Sequence, residues 1–321
     1  MKRIILSMSI VLATAMSMQA EKKGFPVDFT LNGLDYQIRE TIGSSIGTVW
    51  VSDSEEPYVT GTVTIPASVT YNNKTYYVKA VDEYWPMENG LTKLIIPSGV
   101  DSVCSLACSY VKTLQAVDLS YVIKVGKSAF DNCGIKELEL SGVKLKQIGQ
   151  LAFAYNKAMT KLTIAAQQLT VIPDYAFVGC EKLENISLGL YVTTLGKQAF
   201  SLNPALKTIT LPASLISMGD EVFYNDENLK EIKVLAMTPP TATSKTFSGL
   251  NTASLKVIVP VGTVNKYKSA TGWKNLYITD GTQAVDNVDA SQNQAVKTIK
   301  NGHIFISIGE KTYTATGQKV Q

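Results

Sequence analysis

The chain of 321 residues is 45% hydrophobic and 18% charged, which is apolar enough for a packed core and too apolar for intrinsic disorder. Its 30 basic and 27 acidic residues nearly balance, so the composition argues against a nucleic-acid-binding protein. The single histidine, His303, leaves little basis for a catalytic triad or a histidine-rich metal site.

The first twenty residues have the pattern of a secretory signal peptide. Lys2 and Arg3 precede an apolar run from Ile4 to Met16, and small residues follow at Ala13 to Ala15 and at Ala20. The run is too short to cross a bilayer, and no other stretch approaches the required length of about 20 apolar residues. We therefore expect residues 1–20 to be removed and the mature chain, without a transmembrane segment, to be secreted.

Residues 25–77 are rich in Thr, Val, Ile and Tyr and predict a small β cap. Four segments are typical of strands, namely LDYQI, TVWVSD, TGTVTIP and KTYYVKAV. Asn72 and Asn73 predict a hairpin turn before the last of these. A cap is expected here because the end of a stacked array exposes an unpaired edge.

Residues 78–262 repeat with a period of 22 to 24 residues. Apolar residues follow six, nine and eleven positions after an aromatic residue in the regular coils; after Phe177 they are Leu183, Ile186 and Leu188. Eight coils are predicted, with Trp85, Cys108, Phe130, Phe153, Phe177, Phe200, Phe223 and Phe247 at the aromatic position.

The spacing predicts a mainly β solenoid. The last two apolar residues of each coil alternate with a polar residue, as in a short strand with its apolar side inward. Stacked coils would pair these strands in parallel, with the aromatic residues as an interior ladder on the opposite wall. Glycines recur where the chain turns back, and we expect them there for their conformational freedom; they are Gly126, Gly149, Gly196 and Gly219.

The repeat resembles the BspA-like leucine-rich repeats. LKTITLPASLISMGDEVFYNDENLKEI, residues 206–232, matches that pattern almost throughout. The resemblance implies a right-handed leucine-rich-repeat solenoid, secretion to the outer cell surface and a role in adhesion or interaction rather than catalysis.

Three segments follow the array. Residues 263–281 resemble the closing segment of this family, with a short helix from about Val264 to Thr271 and Trp273 over the last coil. Residues 282–295 are polar and predict a linker. Residues 296–321 predict a small β module that is similar to the C-terminal sorting domains of type IX secretion in the stretch GEKTYTATGQKV, with a flexible extension as the alternative. If the similarity holds, His303 has no catalytic role.

The sequence offers little for chemistry. Cys104, Cys108, Cys133 and Cys180 lie inside the repeats, and we expect buried free thiols in preference to disulfides. Cys104 and Cys108 lack histidine partners for zinc. No nucleotide-binding motif occurs. We therefore predict no enzyme, no catalytic residue, no cofactor and no metal.

The outward strand positions are the candidate partner-binding residues. They form a mixed-charge polar face, which suits a protein partner contacted over many positions. Exposed aromatic residues are few, so a glycan is the less favoured ligand, and a structural spacer without a ligand is the third alternative. By resemblance, the partner is a host matrix or surface protein, or another bacterium. The residues are Lys93, Ile95, Asp118, Glu137, Glu139, Lys161, Thr163, Asn185, Ser187, Thr208, Thr210, Glu231 and Lys233.

Overall fold

The structure, a computed structural model, describes residues 27–42, 45–52, 60–83, 90–281, 296–300, 303–308, 311–314 and 319–320. The chain forms two compact units, and the second begins at Gly281. The predicted signal peptide 1–20, Trp85 and the predicted linker 282–295 lie outside the described residues.

The N-terminal segment is built from six strands, which include the four segments that the sequence predicts and two further short strands. Three of them form an antiparallel sheet that continues in parallel to the sixth, and the fifth and sixth form the hairpin expected at Asn72 and Asn73. Both asparagines have positive φ, 48° and 60°, as a two-residue hairpin turn requires. The strands are β1 (Phe29–Leu31), β2 (Leu34–Ile42), β3 (Ile46–Ser52), β4 (Gly61–Thr64), β5 (Ser68–Tyr71) and β6 (Lys74–Val81).

The repeats form a leucine-rich-repeat solenoid of about eight turns, which confirms the predicted fold class. Each regular coil contributes one longer strand and one strand of two residues. The strands are β7 (Leu91–Ile95), β8 (Ser102–Val103), β9 (Ala116–Asp118), β10 (Lys124–Val125), β11 (Glu137–Leu140), β12 (Gln147–Ile148), β13 (Lys161–Ile164), β14 (Val171–Ile172), β15 (Asn185–Leu188), β16 (Thr194–Leu195), β17 (Thr208–Leu211), β18 (Ser217–Met218), β19 (Glu231–Val234) and β20 (Lys256–Ile258).

The longer strands pair in parallel, with inward residues at equal register. Leu138 is opposite Leu162, and Leu162 is opposite Ile186. Pairing is continuous over β4, β7 and β9, over β11, β13 and β15, and over β17, β19 and β20. The short strands form a second parallel wall that starts on the cap, where Val81 of β6 is opposite Val103 of β8. The cap thus provides the first hydrogen-bonding template for the coils.

Five phenylalanine rings form a continuous column inside the array. The ring centroids of Phe130, Phe153, Phe177, Phe200 and Phe223, which we call the phenylalanine stack, lie 5.5, 5.6, 5.5 and 6.2 Å apart in sequence, with nearly parallel planes. Hydrogen-bonded strands are only about 4.8 Å apart. The rings are therefore spaced slightly more widely than hydrogen-bonded strands, while their planes stay nearly parallel.

The recurrent glycines have a different role from the expected one. Gly126, Gly149, Gly196 and Gly219 do not have positive φ. Instead, a β-carbon on Gly149 would lie 2.5 Å from the backbone nitrogen of Lys127, and one on Gly196 would lie 2.5 Å from that of Asp174. The expectation of conformational freedom was wrong, because these glycines permit the close approach of one backbone to the preceding coil.

The left-handed positions are held mainly by other residues. In the regular coils they fall two residues before and two residues after the aromatic position, as Tyr175 and Gly179 do around Phe177. Most are not glycine, although a side chain in this region costs about 1–2 kcal/mol. The packing of neighbouring coils imposes this backbone path; the residues other than glycine are Leu106, Tyr110, Ser128, Asn132, Leu151, Tyr155, Tyr175, Gln198, Leu202, Glu221 and Asn225.

The C-terminal end of the array is closed by a short helix and a buried tryptophan, as predicted. Helix α1 (Val264–Ser269) is followed by strand β21 (Tyr277–Thr279), which pairs with β20. The Trp273 ring contacts Phe247 and Tyr267 edge-on, with centroids 4.9 and 5.1 Å apart. Its Nε1 donates to the Pro240 carbonyl at 2.8 Å, so the ring is both packed and hydrogen-bonded.

The described part of the second unit contains four antiparallel strands. They are β22 (Val296–Lys300), β23 (His303–Ile308), β24 (Lys311–Thr314) and β25 (Lys319–Val320), paired in this order. They are separated in the sequence at Asn301-Gly302, at Gly309-Glu310 and once more after β24. His303 lies at the start of β23, opposite Lys300.

Candidate partner-binding face

The thirteen predicted residues all lie at outward positions of the longer strands. Nine are exposed, and Ile95, Asp118, Thr163 and Glu231 are half-buried. The alternation is clear in β11, where Glu137 and Glu139 are exposed and the residues between and after them are buried. We call the outward side of the longer strands the strand face.

Parallel register arranges the outward side chains in two rows across the array. In the first row, Glu137 is opposite Lys161, which is opposite Asn185. In the second row, Thr163 lies between Glu139 and Ser187. A partner on the strand face would therefore meet neighbouring side chains from successive coils, which are separated in sequence by a whole repeat.

The strand face extends beyond the predicted residues at both ends. At the N-terminal end, β4 pairs with β7, so Thr62 and Thr64 join the two rows. A depression of about 330 Å³ lies there between the outer side of β4 and the turn of β1 and β2. At the C-terminal end the rows continue through Lys256, Ile258, Tyr277 and Thr279.

Charge on the strand face is concentrated on either side of an uncharged centre. Glu137, Glu139 and Lys161 lie towards the N-terminus, and Glu231, Lys233 and Lys256 lie towards the C-terminus. The carboxylate of Glu231 and the ammonium of Lys256 are 3.9 Å apart. Such an exposed ion pair contributes little to stability, so these charges are available to a partner. The central residues are Thr163, Asn185, Ser187, Thr208 and Thr210.

The strand ladder is interrupted between β9 and β11 and again, between β15 and β17, at the uncharged centre. Strands β15 and β17 are neighbours but are not joined in one hydrogen-bonded sheet. Ile186 and Leu188, the inward residues of β15, are half-buried, whereas Leu162 and Ile209 on either side are fully buried. A depression of about 300 Å³ lies at this interruption, lined by Lys161, Thr163, Asn185, Ser187, Thr208 and Thr210, with Ile186 at its base.

The cysteines form no reactive or metal-binding centre among the described residues. All four are free, and Cys108, Cys133 and Cys180 are buried, as expected. Burial raises the pKa of Cys180 to about 12 and that of Cys104 to about 11. The nucleophilic thiolate is therefore scarce at neutral pH. No group of three His, Cys, Asp or Glu residues with metal-binding geometry occurs in the described ranges.

Membrane attachment through a helix finds no support in the part of the chain that the structure describes. No helix there combines the length and the apolar character needed to cross a bilayer.

Comparisons with known proteins agree with the repeat. The chain matches the BspA type leucine rich repeat region in 6 copies, over residues 79–167 and 146–270. Among solved structures, it is similar to a leucine-rich repeat protein from Bacteroides ovatus, with 24% identity, 72% of this chain and 71% of that chain covered, and a TM-score of 0.40. It is also similar to the T. pallidum leucine-rich repeat protein, with 17% identity, coverage of 79% and 91%, and a TM-score of 0.38.

A third similar structure is the pneumococcal vaccine antigen PcpA, with 15% identity, coverage of 78% and 97%, and a TM-score of 0.37. A search of the curated proteins found no match. The family match covers more than half of the chain and coincides with the coils that carry the phenylalanine stack. The chain belongs to the BspA-type leucine-rich-repeat family.

Proposed function

We propose that this protein is a secreted, cell-surface interaction module that binds a macromolecular partner through the strand face. Leucine-rich-repeat solenoids of this type are typically binding scaffolds rather than enzymes. The proposed partner is a protein of the host matrix or host surface, or of another bacterium. Delivery would depend on the predicted signal peptide and on the sorting module 296–321.

The observation that carries the proposal is the depression between β13, β15 and β17. It combines hydroxyl and amide groups with a half-buried isoleucine, Ile186, on the strand face. Donors and acceptors around a small apolar centre are typical of a protein interface, and charged groups at the periphery set orientation and association rate.

The central residues also favour a protein over a glycan. Sugar rings stack on exposed aromatic side chains, and none of Thr163, Asn185, Ser187, Thr208 and Thr210 is aromatic. Tyr277 is exposed but lies at the far C-terminal end of the first row. A glycan ligand would therefore have little to stack on at the centre of the strand face.

The test begins with the full secreted chain on immobilised matrix proteins, host-cell surfaces and a glycan array. A bound protein is then retested with Ser187→Arg/Thr210→Arg, which places two bulky charges in the depression. Val171→Arg/Ile216→Arg is the matched control, because it places the same charges at an exposed position of β14 and at the exposed residue just before β18, away from the strand face. We expect the dissociation constant to rise at least about tenfold for the first variant and to stay unchanged for the control.

Charge reversal at Glu139 and Lys161 tests the periphery. If that side of the strand face contacts the partner, binding weakens and its salt dependence changes. Equal binding by all face variants would exclude the strand face, and binding to glycans alone would replace the protein partner with a carbohydrate. Fractionation of intact cells with and without residues 296–321 tests delivery, since surface exposure should vanish on truncation.

A further inference from the structure

A column of buried polar side chains runs beside the phenylalanine stack, three residues after each ring. Four of its five members donate hydrogen bonds to carbonyl oxygens of the preceding coil. Asn156 Nδ2 donates to the Phe130 carbonyl at 2.8 Å, and Asn203 Nδ2 donates to that of Phe177 at 3.2 Å. The thiols of Cys133 and Cys180 donate to the carbonyls of Cys108 and Phe153, at 3.0 and 3.5 Å. We call Cys133, Asn156, Cys180, Asn203 and Asp226 the donor column.

Asp226 occupies the fifth position and is 1% exposed. Its Oδ1 accepts a hydrogen bond from the Asn203 backbone N–H at 2.7 Å. Its Oδ2 is buried and has no hydrogen-bond partner in the described part of the chain. An ionised carboxylate can only accept, whereas a protonated one has an O–H to donate, as the other four members do.

The surroundings of Asp226 contain no charge that would stabilise its ionised form. The facing turn of the preceding coil, residues 201–205, and that of the following coil, residues 248–254, carry no titratable side chain. On its own turn, Glu227 is exposed and Tyr224 is half-buried. Burial raises the pKa of Asp226 well above its ordinary value, and the Asn203 N–H opposes this shift only in part.

We propose that Asp226 is a neutral carboxylic acid in the folded protein, that its O–H donates a hydrogen bond to a backbone carbonyl of the array, and that its ionisation loosens the coil around Phe223. The acceptor is of the same kind as that of Asn156 and Asn203. The protein thereby contains a pH-sensitive contact close to the C-terminal end of the solenoid.

The direction of the pH effect follows from proton linkage. Because the pKa of Asp226 is raised on folding, the folded chain retains this proton at pH values where the unfolded chain has lost it. The stabilising contribution is complete below the ordinary value of 3.8 and is lost as the pH rises towards the folded-state value. The coil around Phe223 should therefore be more stable against local unfolding in acid than at neutral or alkaline pH.

The decisive variant is Asp226→Asn, which supplies at every pH the donor found at Asn156 and Asn203. We expect its unfolding equilibrium constant at about pH 8 to be at least about tenfold lower than that of the parent, with little difference at about pH 4. Glu227→Gln is the matched control, since it removes the same charge from an exposed position on the same turn. The comparison is repeated in an Asp131→Asn background, because Asp131 is a second buried acid.

A direct measurement keeps the test independent of the variant's folding. The carboxyl carbon of Asp226 in the parent protein should titrate well above pH 4 by NMR, and amide exchange around Phe223 should accelerate as it ionises, beyond the intrinsic effect of pH. An Asp226 carboxyl that titrates near its ordinary value would overturn the proposal, as would an Asp226→Asn protein that folds with an unchanged pH dependence.

Discussion

The ring of Tyr155 lies over the α-carbon of Gly179 in the next coil, so closely that a β-carbon on Gly179 would be 2.5 Å from Tyr155 Cδ1. Gly179 also has a φ of 71°, which disfavours any side chain. Tyr224 and Gly249 repeat the arrangement further along the array. Neighbouring coils thus approach each other at these positions as closely as a backbone without a β-carbon allows.

Substitution of Gly179 should distinguish the cost of the steric conflict with Tyr155 from the cost of a side chain at positive φ. Gly179→Ala is expected to destabilise the protein by more than the roughly 1 kcal/mol cost of positive φ, because the Tyr155 ring must also move. Gly33→Ala is the control, since Gly33 has a φ of 77° and no atom within 4 Å of its added β-carbon. Urea denaturation should show a larger loss of unfolding free energy for Gly179→Ala than for Gly33→Ala. Equal losses would contradict the close packing of Tyr155.

Loss of one ring from the phenylalanine stack should be costly. Phe177→Ala removes a fully buried ring between two stacked neighbours and is expected to destabilise the fold by about 3–5 kcal/mol. Leu190→Ala is the control, because Leu190 is 75% exposed and should change stability by less than about 0.5 kcal/mol. Thermal and urea unfolding of both variants provide the comparison, and a small loss at Phe177 would mean that adjacent coils can close the gap.

The hydrogen bonds of the donor column should contribute substantially to the free energy of unfolding. Asn156→Ala leaves the carbonyls of Phe130 and Phe153 without their side-chain donor in a buried environment, which we expect to cost at least about 1–3 kcal/mol. Asn228→Ala removes an exposed amide that donates to the Pro204 carbonyl, and its cost should be much smaller. Denaturant unfolding measures both, and a similar loss in the two variants would argue against a special role for the buried column.

Asp131 should contribute a second pH dependence. Burial raises its pKa from 3.8 to about 7, and the Asn132 backbone N–H opposes the shift. The folded state therefore holds an additional proton between these values, so its contribution to stability falls as the pH rises from about 4 to about 7 and is constant above that. Asp131→Asn should flatten this part of the stability profile, whereas Glu184→Gln, at an exposed position, should leave it unchanged.

The features that could be predicted from the sequence are those that depend on which side chains are buried. The phenylalanine stack, the inward strand residues and the buried Trp273 each require a large apolar side chain at a set spacing, and that requirement is visible as a period. The same period placed all thirteen strand-face residues outward, because outward and inward positions alternate along a strand.

Other features could not be predicted, because they depend on distances between coils and not on the residue type at one position. Leu106 and Tyr175 adopt left-handed conformations that their residue types disfavour, so propensity could not identify them. The repeat did not predict that β4 pairs with β7, because the sequence distance from Val63 to its partner Leu94 is longer than one period. The opening between β15 and β17 was not predicted either, because Asn185 and Thr208 occupy the same outward strand position as residues of the paired strands.

The equivalence of Phe200 and Phe223, 23 residues apart, has a consequence for the evolution of the protein. A duplicated copy of residues 200–222 would add one ring, one longer strand and one short strand without disturbing the register of its neighbours. The ends do not share this freedom, because β6 and Trp273 each occur once and fit only a terminal coil. Unequal recombination within the gene could therefore lengthen or shorten the strand face by one strand at a time. The terminal segments that contain β6 and Trp273 would stay unchanged.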